Sequence, residues 1–237
     1  MITVMTPNVF AVMGIGLLLG LRHAFEPDHL AAVSTLATRP GARLWSAARL
    51  GLVWGLGHTT TVGVVALLII ALGVRLPDRL WPAAELLVAA LLIVLGATVI
   101  WRYVRGRWHI HAHTHPAAPR HLHLHSHASD ASHTHAHARI DARRSLGFGV
   151  AHGLAGSGAI AALLVATVPG PTFQLLYFAA FAAGTIIGML SVSLTLSVLV
   201  RLAAERGARW ATILHLGAAA GSVVAGVALA QQVLMGS

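Results

Sequence analysis

Leu21-Arg22-His23-Ala24-Phe25-Glu26-Pro27-Asp28-His29 sets the terms on which the rest of the chain is read. Five ionisable groups fall between residues 22 and 29, while the runs before and after them are apolar. An Arg or Asp inside a membrane span costs about 2.5–3.5 kcal/mol on the insertion scale. Such groups are kept for pairing, for a water-filled cavity or for function. The plainer alternative is a segment solvated at the membrane surface. Pro27 lacks an amide proton and clashes with the carbonyl of residue 23. The helix is therefore expected to kink or unwind here and to free that carbonyl as a ligand.

The composition around this segment points to lipid. The 237 residues are 57% hydrophobic and 10% charged, with a mean hydropathy of +0.76. A soluble domain is nearer half apolar and a quarter charged. Disorder over most of the chain and a soluble enzyme are both excluded on these grounds. There is no cysteine, which excludes disulfides, thiolate zinc sites and iron–sulfur clusters. The formal charge of +9 comes from arginine alone. In a soluble protein it would suggest nucleic acid. Here the arginines lie between apolar runs, so membrane topology accounts for them and no nucleic-acid partner is expected.

A membrane helix needs about 20 mainly apolar residues. Six candidates are read: 8–37 (interrupted at Glu26-Pro27-Asp28), 50–73, 82–104, 144–168, 172–200 and 211–234. The first has no basic leader and no small-residue cleavage site, so it is read as a span rather than a signal peptide. Thirteen arginines fall on one side of this arrangement, and only Arg75 and Arg79 on the other. The positive-inside rule places the larger group in the cytoplasm and both termini outside. The expected domains are a first three-helix repeat (1–104), a cytoplasmic histidine-rich disordered loop (105–143) and a second three-helix repeat (144–237).

The halves also match each other. A shift of 129 lays Leu17, Gly20, His23, Ala32, Ala37, Thr38 and Pro40 on Leu146, Gly149, His152, Ala161, Ala166, Thr167 and Pro169. Three spans per half make an inverted repeat, the arrangement of many secondary transporters, whose sites lie near the midplane on interrupted helices. Chance similarity between two apolar, small-residue helices is the competing account. The expected fold is all-α: six transmembrane helices as a 3+3 inverted repeat.

On an unbroken helix, His23, Glu26 and His29 share an arc of about 120°. Two imidazoles and a carboxylate on one face suit a divalent first-row metal. With the helix broken at Pro27, Asp28 joins either as a ligand or as a partner to a histidine N–H. Arg22 pairs with an acid or caps the site. His58, in Gly55-Leu56-Gly57-His58-Thr59-Thr60-Thr61, is a packing residue taken alone and a ligand beside the first motif. His152, in Ala151-His152-Gly153-Leu154-Ala155-Gly156-Ser157-Gly158, is the repeat mate of His23 and is read as a ligand or a structural histidine. His215 is read as interfacial and not a ligand.

Eleven of the sixteen histidines lie in residues 109–137. They are His109, His111, His113, His115, His121, His123, His125, His127, His133, His135 and His137, spaced by residues that include Ala, Pro, Ser and Thr. Such a stretch builds no packed core and is expected to be disordered without metal. Neutral imidazole suits zinc, copper and nickel. The loop is read as an accessory metal buffer, with a pH sensor as the alternative.

These motifs together resemble the nickel/cobalt transporter (NiCoT) family and its short NicO-like and UreH-like relatives. Arg22-His23-Ala24-Phe25-Glu26-Pro27-Asp28-His29-Leu30 is similar to the family signature Arg-His-Ala-x-Asp-Ala-Asp-His-Ile, and Leu56-Gly57-His58-Thr59 to its second signature, Leu-Gly-His-Ser/Thr. Glu26-Pro27 departs from Asp-Ala, and the second half lacks the acids of the later family motifs. Six spans rather than eight point to the short branch. The resemblance implies that His23, Asp28, His29 and His58 serve nickel or cobalt movement, with Glu26 and His152 beside them. It implies no cofactor and no enzymatic activity. The transported substrate would be Ni²⁺ or Co²⁺, and the partners the lipid bilayer, nickel chaperones or the maturation proteins of urease or hydrogenase. Location in the bacterial inner membrane and uptake are the expectations. Efflux and a metal-binding chaperone or sensor without transport are the alternatives. An intramembrane zinc protease would carry His-Glu-x-x-His, which is not present.

Overall fold

The computed structural model describes residues 8–37, 44–72, 80–105, 108–115, 118–126, 143, 145–154 and 168–236. They form helices α1 (Val9–Ala24), α2 (Pro27–Ala37), α3 (Leu44–Leu72), α4 (Leu80–Val104), α5 (145–154), α6 (Pro171–Arg206) and α7 (Ala208–Gly236), with strands β1 (Trp108–His115) and β2 (Ala118–Ser126). α3, α4, α6 and α7 are each long and apolar enough to cross a membrane. α1 and α2 qualify together as one broken span, bent by 57°. The expected span at 144–168 is described only through 154, so its remainder lies outside the described residues. Large apolar side chains such as Phe10, Trp45, Val104 and Val224 face outward, as they must where the solvent is hydrocarbon.

The break between α1 and α2 follows from local chemistry. Asn8 caps the start of α1, its side chain accepting from the Phe10 amide at 2.9 Å. Pro27 begins α2, where a missing N–H costs nothing. The freed-carbonyl expectation is corrected here. The Glu26 amide donates to the His23 carbonyl at 3.0 Å, so that oxygen is already engaged. The straight-helix arc through His23, Glu26 and His29 likewise gives way to a corner with a histidine on each arm.

Close helix crossings hold the bundle together. A Cβ on Gly20 would sit 2.0 Å from the Phe181 carbonyl oxygen on α6, and one on Gly184 would sit 2.2 Å from that of Leu17 on α1. Each helix thus needs the other's glycine. α5 meets α3 in the same manner. Ser145 Oγ donates to the Leu50 carbonyl at 2.9 Å, and Gly149 and Gly153 leave room for the carbonyls of Trp54 and His58. α4 packs on α7, where Ser222 Oγ donates to the Leu92 carbonyl, and α2 on α7, where Thr35 Oγ1 donates to Ala218. The core around the break is built from Ala24, Val33, Trp54, Leu92 and Met189.

Part of the histidine-rich segment lies within the described residues. β1 and β2 form an antiparallel hairpin, with β1 lying against α4 and α7. The reason lies in the spacers. Trp108, Ile110, Leu122 and Leu124 alternate with histidine, and strict alternation of polar and apolar residues is the period of a strand. His127, His133, His135 and His137 lie outside the described residues.

Candidate metal site

Four helices, with the turn between α1 and α2, deliver four imidazoles and two carboxylates to one place. His23 comes from the last turn of α1, and Asp28 and His29 from the first turn of α2. His58 comes from the middle of α3 and His152 from α5. Ring centroids are 4.5 Å apart for His23 and His29, 5.0 Å for His23 and His58, 5.0 Å for His29 and His58, and 4.2 Å for His29 and His152. His58 is fully buried and His29 is 1% exposed. Trp54 and Phe148 stack beside the cluster and close one side with hydrocarbon.

Two donor groups of three emerge. His23, His29 and His58 bring one ligand atom each within 4.8 Å of one another, and so do Asp28, His29 and His152. His29 belongs to both. The carboxylates are bonded to imidazoles. Glu26 Oε2 lies 2.9 Å from His23 Nδ1, Asp28 Oδ1 lies 3.2 Å from His29 Nδ1, and Asp28 Oδ2 lies 2.8 Å from His152 Nε2.

These contacts decide which nitrogens can bind a cation. A carboxylate facing Nδ1 favours the tautomer with the proton there and leaves the Nε2 lone pair open. For His23 that lone pair faces His58 Nε2 at 3.0 Å. For His29, Nε2 is buried and has no hydrogen-bond partner among the described residues, and the same is true of His58 Nδ1. Buried polar atoms without partners are costly and call for an explanation. A cation accepting the lone pairs supplies one for His29.

The cluster's three-imidazole group has the donors to hold a divalent metal ion, and it lies at the break in a span. Residues 9–126 match the NicO family, described as high-affinity nickel-transport protein. The chain is also 32% identical over 201 residues to the urease accessory protein UreH of Bacillus sp. (strain TB-90), a match covering 84% of this chain and 82% of that protein. The chain belongs to the NicO family. This NicO-family chain is accordingly a transporter rather than an enzyme, and its apolar helices make it a multi-pass membrane protein. No solved structure matches it.

Among the sequence-expected residues, His23, Asp28, His29, His58 and His152 meet in this NicO cluster, with Glu26 at its edge behind His23. Arg22 is exposed, and the two carboxylates pair with histidines instead. His215, read as interfacial, is buried within α7 and belongs to neither donor group. Trp54 was not singled out from sequence. Its position one turn before His58 was the available signal.

Proposed function

We propose that this chain moves Ni²⁺ or Co²⁺ across the bacterial cytoplasmic (inner) membrane as a secondary transporter, in the direction of uptake. The observation that carries this reading is the buried His23/His29/His58 group, with donor atoms within 4.8 Å, at the corner of a broken span. In the proposed assignment these three imidazoles bind the ion. Asp28 and Glu26 orient them, and the Asp28/His29/His152 group is the alternative position. Borderline nitrogen donors favour Ni²⁺ and Co²⁺ over Mg²⁺ and Ca²⁺.

Uptake is supported by the relative named as a urease accessory protein, since urease consumes nickel in the cytoplasm. Nickel chaperones or urease and hydrogenase maturation proteins are then the receiving partners. Efflux is the second reading, favoured by a histidine-rich segment on the arginine-rich side that could collect cytosolic metal.

The proposed architecture is six spans in a 3+3 inverted repeat, with both termini outside and residues 105–143 cytoplasmic. The crossings support it. α1 packs on α6 through Gly16 and Gly20, and α5 packs on α3 through Ser145 and Gly149. These residue pairs are related by the same shift of 129 that relates His23 to His152.

The test is radioactive nickel flux into proteoliposomes. Influx several-fold above empty vesicles, abolished by His29→Ala in a protein that still inserts, is the expected result. Wild-type flux at the level of empty vesicles would hand the site to a sensor or chaperone role.

A further inference from the structure

The hairpin carries a second arrangement of histidines that the transport reading does not use. Its backbone register opposes His109 to His125, His111 to His123 and His113 to His121. Residues two apart on a strand share a face, so these six positions form three rungs on one side. The alternate positions oppose Ile110 to Leu124 and Ala112 to Leu122 on the other side. That apolar set fixes the register, because a slip of one residue would exchange the faces. Directly opposed positions bring Cβ atoms to about 4.5–5.5 Å, and neighbouring rungs follow at about 6.7 Å. Between His113 and His115 the register shifts, and His115 opposes Ala118, so it has no histidine across from it.

We propose that the three rungs are a metal ladder: a divalent first-row transition ion is chelated across the strands by opposed imidazoles, and the register rather than the histidine content sets the affinity. A two-stranded hairpin alone is marginal in water. Bridging the strands adds the free energy of metal binding to the pairing, and binding in turn requires the pairing. This converts a histidine-rich stretch from a loose collection of donors into a few defined sites. It stands independently of the intramembrane cluster, since β1 and β2 contribute none of that cluster's residues.

The test uses the full chain in nanodiscs with His23→Ala, His29→Ala and His58→Ala, which silences the intramembrane donors. One comparison variant removes the three β2 rung histidines (His121→Asn, His123→Asn and His125→Asn), and a second removes three histidines that lie beyond β2 in the sequence (His127→Asn, His133→Asn and His135→Asn), so that both lose the same number of imidazoles. Equilibrium dialysis against NiCl₂ is expected to show at least tenfold weaker nickel retention in the rung variant, while the second variant and His115→Ala change retention less than twofold. The chain has no native cysteine, so engineered pairs report the register directly. With diamide as oxidant, nickel should accelerate disulfide formation for Ile110→Cys with Leu124→Cys, and not for Ile110→Cys with Leu122→Cys. Equal nickel retention by the two triple variants would overturn the ladder in favour of simple composition. So would a His115→Ala effect as large as that of His123→Ala, or cross-linking indifferent to nickel. None of these results would touch nickel flux through His29, and loss of that flux would leave the ladder standing.

Discussion

His29 and His123 each stand near other histidines of the chain, but different physics places them there. His29 is buried where four helices meet, its Nδ1 faces a carboxylate, and its Nε2 has no hydrogen-bond partner among the described residues. Its neighbours come from α1, α3 and α5, the last two distant in sequence. His123 sits on a two-stranded hairpin opposite His111, and its cluster is the product of a local repeat. The first arrangement fixes tautomer, direction and number of donors by tertiary packing. The second offers several equivalent rungs at low cost in sequence. One suits a single ion that must be selected and released, the other several ions that need only be held.

The comparison breaks most sharply at His29. Because it belongs to both donor groups, His29→Ala is expected to lower nickel flux by a hundredfold or more. Changing the six rung histidines to Asn should leave at least half of the flux at saturating nickel. Proteoliposome uptake measures both. If the rung variant loses flux as completely as His29→Ala, the hairpin lies on the conduction route and the division between the two populations fails.

Next in size is the effect of the carboxylates. Partners that orient metal-binding histidines typically cost 10–100-fold in metal affinity when removed. Asp28 touches two histidines and Glu26 one, so Asp28→Asn should fall near the top of that range and Glu26→Gln near the bottom. The amides keep the shape and lose the charge. Isothermal titration with nickel checks the order. Equal losses would mean that both acids are direct ligands.

Much of this was legible in the chain, and the boundary of legibility has physical causes. Apolar runs of span length mark α3, α4, α6 and α7 because the bilayer demands length and composition alone. Pro27 marks the break because a proline cannot continue the ladder from residue 23. The hairpin's period is present as well, in Trp108, Ile110, Leu122 and Leu124 alternating with histidine. What the sequence could not give was pairing across distance. Nothing local says that Glu26 turns to His23 while Asp28 joins His29 to His152. The facing of Gly20 by Phe181 is a property of two helices, not of either sequence.

Acid should separate the two populations less than mutation does. Metal binds neutral imidazole, so binding releases protons and weakens in acid. Nickel affinity at the intramembrane site should be lower at pH 6 than at pH 7, because each imidazole that takes up a proton is lost as a donor. Retention on the hairpin should drop as well, with the same sign. The measurement is nickel titration of the full protein and of the His29→Ala variant at both pH values. Binding unchanged between the two pH values in either would mean that the donors are carboxylates, which are ionised at both.

The smallest expected effect is the most informative about the second half of the chain. His152 is the repeat mate of His23, yet its Nε2 is 2.8 Å from Asp28 Oδ2. If it acts by holding Asp28, which in turn holds His29, then a side chain that can still donate a hydrogen bond should replace it. His152→Gln keeps an N–H donor of similar reach, whereas His152→Ala removes it and leaves the carboxylate short of a partner. The expected outcome is a loss of about threefold in nickel affinity for Gln and about tenfold for Ala, in line with removing one supporting contact. A direct ligand would behave differently. Gln would then be as damaging as Ala, and nickel's absorption spectrum, which reports the donors bound to the ion, would shift in both variants. An unchanged spectrum with partial rescue by Gln would assign ion binding to His23, His29 and His58. The second half would then supply support rather than ligands, an asymmetry matching the absence of acids in its own version of the motif.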